Sequence, residues 1–274
     1  MIDKELDNLN LKKLFEDQKK FLEENKDSEG TWKSVRSTEN FNVINQIFPW
    51  GARNIAVPKE KKNNYFLQRS RSYELGNTES EEDIKQELFE KIEELYQIDK
   101  IRIDELDNVL KDHKLKPEHV FEIGFRLPKI QNYYKKRGMC ESGIDINDSN
   151  VSIGKSLGFN CEVHDLNTHQ DFNKNINFKE IDLVVCYHVL EHLSNPYEGL
   201  KKIYDNVKKG CIFHVEIPIE PDGPRIWYGH LYSFHPHDLA KMIKMLGGVI
   251  LYATNKTSTE PQGPWIERYT FIKN

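Results

Sequence analysis

A small set of polar and glycine positions in the second half of this 274-residue chain recurs at the ends of short apolar runs. Glu122 and Gly124 end VFEIG, Asp145 ends GID, Asp165 follows CEVH, and Tyr187 and His188 follow DLVVC. A carboxylate accepts several hydrogen bonds at once, so Asp145 suits the vicinal diol of a ribose. Asp165 could accept from an exocyclic adenine amine, and Glu122 could hold an ammonium group. Gly124 lets the backbone come close to a ligand. Plainer roles are open to each: Asp145 could cap the helix after it, and Asp165 could close an Asx turn over Asp-Leu-Asn. A carboxylate at Glu122, buried at a strand end without a ligand, would be costly.

For these side chains to meet, the apolar runs must lie side by side. Strands are expected at 120–123, 142–146, 160–163, 181–186 and 211–217, alternating with helices at 130–137, 149–157 and 194–208. A further helix at 236–246 and strands at 248–253 and 268–272 follow. Strands alternating with helices predict a parallel sheet with right-handed crossovers. In such a sheet ligands bind off the carboxyl ends of the strands, where all the positions named above fall.

Residues 9–25 and a stretch from Thr78 to about Gln97 have helical spacing, with a second short helix at 103–113 that ends before Pro117. Residues 28–78 show no clean period but are rich in aromatics, Asn and Arg, which argues for a functional rather than a disordered segment. The division is therefore 1–119, a mainly helical extension acting as a lid or acceptor-binding cap, and 120–274, the α/β domain. An oligomerisation or packing arm is the alternative for the extension, and a homodimer is compatible with it.

The formal net charge is −5, from 39 Lys+Arg and 44 Asp+Glu. No clustered positive field exists of the kind that tracks a phosphate backbone, so nucleic acid is not expected as partner. No run approaches the roughly 18 apolar residues of a membrane span, and the first residues have no apolar core of a secretory signal. Cys140, Cys161, Cys186 and Cys211 form no CxxC or finger spacing, which fits a reducing, cytoplasmic setting.

The series VFEIG, GIDIN, HDLN and DLVVCYHVLEHLSNP resembles, in order and spacing, the small-molecule branch of the class I S-adenosylmethionine-dependent methyltransferases. The final GPWIERYTFIKN is similar to the closing antiparallel strand of that fold. The resemblance spans about 120–274 and implies a Rossmann-like, mostly parallel seven-stranded sheet with helices on both faces. It implies S-adenosylmethionine as cofactor, held by Glu122, Gly124, Asp145 and Asp165, and Tyr187 after the fourth strand is expected to bind it too. One departure stands out: where the family carries two or three glycines, this loop reads Gly-Phe-Arg-Leu-Pro from Gly124. Bulk at Phe125 and Pro128 is expected to narrow the cofactor groove, or Arg126 to make a contact of its own. A binding or scaffold protein that retains the fold without catalysis is the second reading. A dehydrogenase is weaker, since GxGxxG is missing after the first strand.

Methyl transfer needs alignment above all, and an alcohol acceptor must also lose a proton. His188 and His230 are the expected bases, because the first follows the fourth strand and the second lies in the aromatic loop 219–235. That loop, with Trp227, Tyr228, Tyr232 and Phe234, suits a ring-shaped or sugar acceptor. Arg36, Arg53, Arg69 and Arg71 could clamp phosphates or carboxylates. Together they suggest a small acceptor such as a nucleotide-linked sugar or other anionic metabolite, methylated on oxygen, as in carbohydrate modification. His188, Glu191 and His192 at i, i+3, i+4 would share a helical face that could chelate a metal, but no metal is assigned.

Overall fold

A computed structural model describes residues 36–37, 41–48, 51–58, 81–168, 170–220, 230–257 and 265–274. The expected helix at 9–25, Arg69, Arg71, Trp227 and Tyr228 lie outside the described residues. Three strands come first: β1 (Arg36–Ser37), β2 (Phe41–Phe48) and β3 (Gly51–Pro58), paired antiparallel in the order β1-β2-β3. This corrects the expectation of an irregular segment. Phe41, Val43 and Ile47 alternate with Asn42 and Gln46, a period of two that Ile44 and Asn45 partly hide.

Helix α1 (Glu81–Asp112) is one continuous element of 32 residues rather than two helices. The span 97–103 contains neither Gly nor Pro to break it. Its buried side chains continue across the expected gap: Leu88, Ile92, Asp99, Ile103 and Leu106 are at most 4% exposed. Beyond it run β4 (His119–Ile123), α2 (Lys129–Lys135), β5 (Cys140–Asp145), α3 (Asp148–Ser156), β6 (Cys161–Val163), β7 (Leu183–Tyr187), a 3-10 turn (Leu190–His192) and α4 (Pro196–Asn206). The chain closes with β8 (Ile212–Ile219), α5 (Asp238–Met245), β9 (Val249–Thr257) and β10 (Trp265–Ile272).

These strands form a seven-stranded sheet in the order β6-β5-β4-β7-β8-β10-β9. All neighbours from β6 to β8 pair in parallel, and β10 inserts antiparallel between β8 and β9. The strand order reverses between β4 and β7, which opens a crevice at their carboxyl ends. Buried-on-both-faces strands such as LVVC of β7 and IFHVEIPI of β8 are the sequence mark of such a sheet.

One core layer joins Phe121, Val184, Phe213, Ile217 and Phe271 of the sheet to Leu200 and Ile203 of α4 and to Met242 of α5. On the opposite face Ile103, Leu106 and Leu110 of α1 pack with Val120, Leu183, Val185 and Ile212. The start of α1 adds Leu88 and Ile92 to a third cluster with Phe125, Leu127, Val151 and Phe159. Each such aliphatic side chain contributes about 1.5–3 kcal/mol when fully buried, so α1 is a structural layer of the sheet domain.

Candidate active site

The groove begins at the turn after β4. Gly124 has φ +68°, and a Cβ there would lie 2.4 Å from Val189 Cγ2. Its N–H donates to the Ile144 carbonyl at 2.8 Å. Two residues on, Arg126 also has positive φ, +55°, a conformation that costs a side-chain-bearing residue about 1–2 kcal/mol. What holds it there is Asp145, whose Oδ2 accepts the Arg126 N–H at 2.9 Å. The turn therefore keeps a glycine-like backbone at both positions, although only the first is glycine. Phe125 and Leu127 are 1% and 0% exposed and pack beneath the turn against Val151 and Phe159. The bulk of Phe125, expected to narrow the groove, is thus absorbed by the core on the α3 side.

Asp145 is 6% exposed and already heavily used. Besides Arg126, its Oδ1 accepts from the Asn147 N–H at 2.8 Å and the Asn150 side chain at 3.2 Å. Burial pushes its carboxyl up, while these donors oppose the shift. Of about four acceptor positions on a carboxylate, three are taken. Glu122 is 4% exposed, and its Oε2 accepts from the Gln131 N–H at 3.2 Å. Burial pushes this carboxyl up to about 8 against the opposing pull of Lys129. Asp165 closes the Asx turn foreseen as its plainer role, with Oδ1 accepting the Asn167 N–H at 2.8 Å. Tyr187 packs its ring under α1, with the Arg102 guanidinium 5.5 Å from its centre, and its hydroxyl is buried without a partner among the described residues.

Across the crevice, the ends of β7 and β8 carry a dense group of charges. His188, at φ +55°, sets Nε2 2.8 Å from Glu216 Oε1 and Nδ1 3.1 Å from Glu191 Oε1. Burial opposes its charge, but the two carboxylates outweigh that and push it up to about 9. Glu216, 0% exposed in the middle of β8, also receives Arg102 Nε and Arg268 Nε, both at 2.7 Å. Although burial opposes it, His188 and the two guanidinium groups hold Glu216 well below the usual carboxylate range. Arg102 further pairs with Asp99, and Arg268 with Glu105, so α1 is tied to the sheet by charge as well as by packing.

His230 also approaches Glu191. Its Nδ1 is 2.9 Å from both oxygens of Glu220, and its Nε2 is 4.0 Å from Glu191 Oε1. The His192 ring stands edge-on to it, with centres 5.0 Å apart. The structure thus brings His188 and His230 to one oxygen of one buried carboxylate, which spacing along the chain does not foretell. Arg102, Glu216 and Glu220 were missed by sequence reasoning. The available signal was the pair of glutamates inside the apolar run IFHVEIPIE, because a buried charge is retained only when paired.

Residues 121–215 match the family described as methyltransferase domain. By that match, residues 121–215 carry a methyltransferase domain. Among solved structures, an S-adenosylmethionine-dependent methyltransferase from Clostridium acetobutylicum ATCC 824 is 13% identical, with 68% of this chain and 99% of that chain covered at a TM-score of 0.50. Magnesium protoporphyrin IX methyltransferase from Synechocystis PCC 6803, solved with S-adenosylmethionine, is 14% identical over 77% of this chain and 92% of that chain, at a TM-score of 0.49. No curated protein matches the chain.

The turn fits S-adenosylmethionine, the cofactor that the resemblance in sequence implies. A Cβ at Gly124 would fill the approach, and a buried carboxyl at Glu122 with a raised pKa is one that a cationic ammonium would complete. Asp145 retains room for one more hydrogen bond rather than for both hydroxyls of a diol. Among the described residues no helix is long and apolar enough to cross a membrane.

Proposed function

We propose that the domain methylates an oxygen of a small anionic acceptor, such as a nucleotide-linked sugar, with Glu122, Gly124, Asp145 and Asp165 holding the cofactor. When bound, S-adenosylmethionine supplies an already activated methyl group, so the protein's work is alignment and proton handling. The observation that carries the reading is the Glu220–His230 pair beside buried Glu191 at the ends of β7 and β8. With Glu220 engaging Nδ1 of His230, Nε2 is the nitrogen that would take a hydroxyl proton. His188 has both ring nitrogens engaged by carboxylates, so its part is to brace Glu191 and Glu216. Tyr187 supports the groove from beneath. The arginine-bearing extension supports an anionic acceptor through Arg36, Arg53, Arg69 and Arg71.

The test is methyl transfer from labelled S-adenosylmethionine to a panel of nucleotide-linked sugars, sugar phosphates, neutral sugars and amines. Transfer to the anionic sugars, with turnover lost at least 100-fold in His230→Ala and S-adenosylhomocysteine affinity kept, is expected. Transfer confined to amines or neutral acceptors would overturn the acceptor class. Failure to bind either cofactor form would favour the scaffold reading.

A further inference from the structure

We infer that Glu191, His192 and His230 form a binding site for one divalent transition-series cation, zinc-like in preference. One carboxylate oxygen and one ring nitrogen from each histidine all lie within 4.8 Å of one another. The donors come from two separate segments, the turn after β7 and the strap before α5. Backbone hydrogen bonds clamp these together: the Leu231 and Tyr232 N–H groups donate to the Glu191 carbonyl at 2.7 and 3.0 Å.

The independent observation is an orphaned oxygen. Glu191 is 0% exposed, and its Oε2 is buried with no hydrogen-bond partner among the described residues, while Oε1 takes His188. An ionised oxygen left unpaired in the interior is costly, and a cation is what would satisfy it. Glu220 provides the usual outer support. It holds Nδ1 of His230 and turns Nε2 toward Glu191, as carboxylates do behind metal-bound imidazoles. Two imidazoles and one carboxylate favour zinc, cobalt or iron(II) over magnesium or calcium, which prefer all-oxygen sets. The ligand atoms need to draw in to about 3.4 Å apart for bonds of about 2.0–2.2 Å, a change within side-chain rotation. Three protein ligands gather among the described residues, which leaves a coordination position open.

What the cation would do rests on the methyltransferase reading: the acceptor hydroxyl would take the open position and ionise more readily, its proton leaving to water. His230 then serves as ligand in place of proton acceptor. The full chain, stripped with chelator and desalted, is titrated with Zn²⁺ by calorimetry and with Co²⁺ by visible absorption. One equivalent per chain is expected, with the strong visible bands of four- or five-coordinate cobalt. His192→Gln and His230→Gln should each weaken binding at least tenfold, and His188→Gln less than threefold. If either histidine variant loses the wild-type far-UV circular dichroism, Glu220→Gln replaces it, with an expected loss of about tenfold or more. No cation uptake, uptake indifferent to these substitutions, or uptake abolished only by His188→Gln would overturn the site. S-adenosylhomocysteine binding by the same samples separates the two claims. A protein that binds it but takes no cation overturns this inference alone, and one that takes the cation without it keeps the site and loses the methyltransferase reading.

Discussion

At the scale of single residues, the glycine turn shows how one carboxylate can replace a glycine's conformational freedom. Arg126 sits in the left-handed region because Asp145 accepts its N–H, and the same carboxylate caps the start of α3 through Asn147 and Asn150. Asp145 thus shapes the groove and has capacity left to touch what fills it. Asp145→Ala should weaken S-adenosylhomocysteine binding more than tenfold, which is about 1.4 kcal/mol or more, as read by calorimetry. Unchanged affinity would show that the residue serves only as a clamp on the turn. The three carboxylates were legible in sequence because they end apolar runs. Their hydrogen-bond partners were not, since Arg126 and Asn150 are set against Asp145 by folding.

At the scale of elements, α1 decides how much of the chain the sheet needs. Its apolar face covers β4, β7 and β8, and its charged face reaches Glu216 through Arg102 and Arg268 through Glu105. A buried ion pair broken on one side leaves an uncompensated charge. Arg102→Met should therefore lower stability by about 2 kcal/mol, less than for an isolated pair because His188 and Arg268 still face Glu216 and Lys129 still faces Asp99. A shifted urea midpoint at unchanged slope is the readout, and no shift would mean that packing alone holds the helix. The sequence marked this segment as helical but split it near residue 100. Asp99 and Arg102 look like solvated charges until the sheet supplies their partners.

At the scale of the whole molecule, buried titratable groups set the pH range of stability. Burial pushes His164 down to about 4 and His214 down to about 3. Lys202 Nζ, 2.8 Å from His164 Nε2, requires a neutral ring there. Unfolded histidines titrate near 6.5, so their contribution is whole above that pH and is lost as pH falls toward 4 and 3. Glu122 acts in the opposite sense: its folded pKa of about 8 lies above the unfolded value, so its contribution is whole in acid and lost as pH rises toward 8. Urea midpoints measured from pH 4 to 9 should peak between these limits. Glu122→Gln should flatten the alkaline limb, and His164→Gln should flatten the acid limb. Limbs unchanged in both variants would show that other groups govern the profile.

The sequence by itself determined the order of strands and helices from residue 120 onward and the carboxylates that end the strands. Those features follow from local periodicity and from turn residues, which neighbours along the chain specify. The antiparallel sheet of β1 to β3 escaped because Ile44 and Asn45 fall out of step with the alternation of β2, and β1 is only two residues long. Only the tertiary structure decided that Phe125 packs beneath the turn, that α1 is a layer of the sheet, and that His188 and His230 meet at Glu191. The deciding contacts, such as Arg102 on Glu216 and His230 beside Glu191, join segments far apart in the chain, and a local pattern carries no record of which distant charge will complete which.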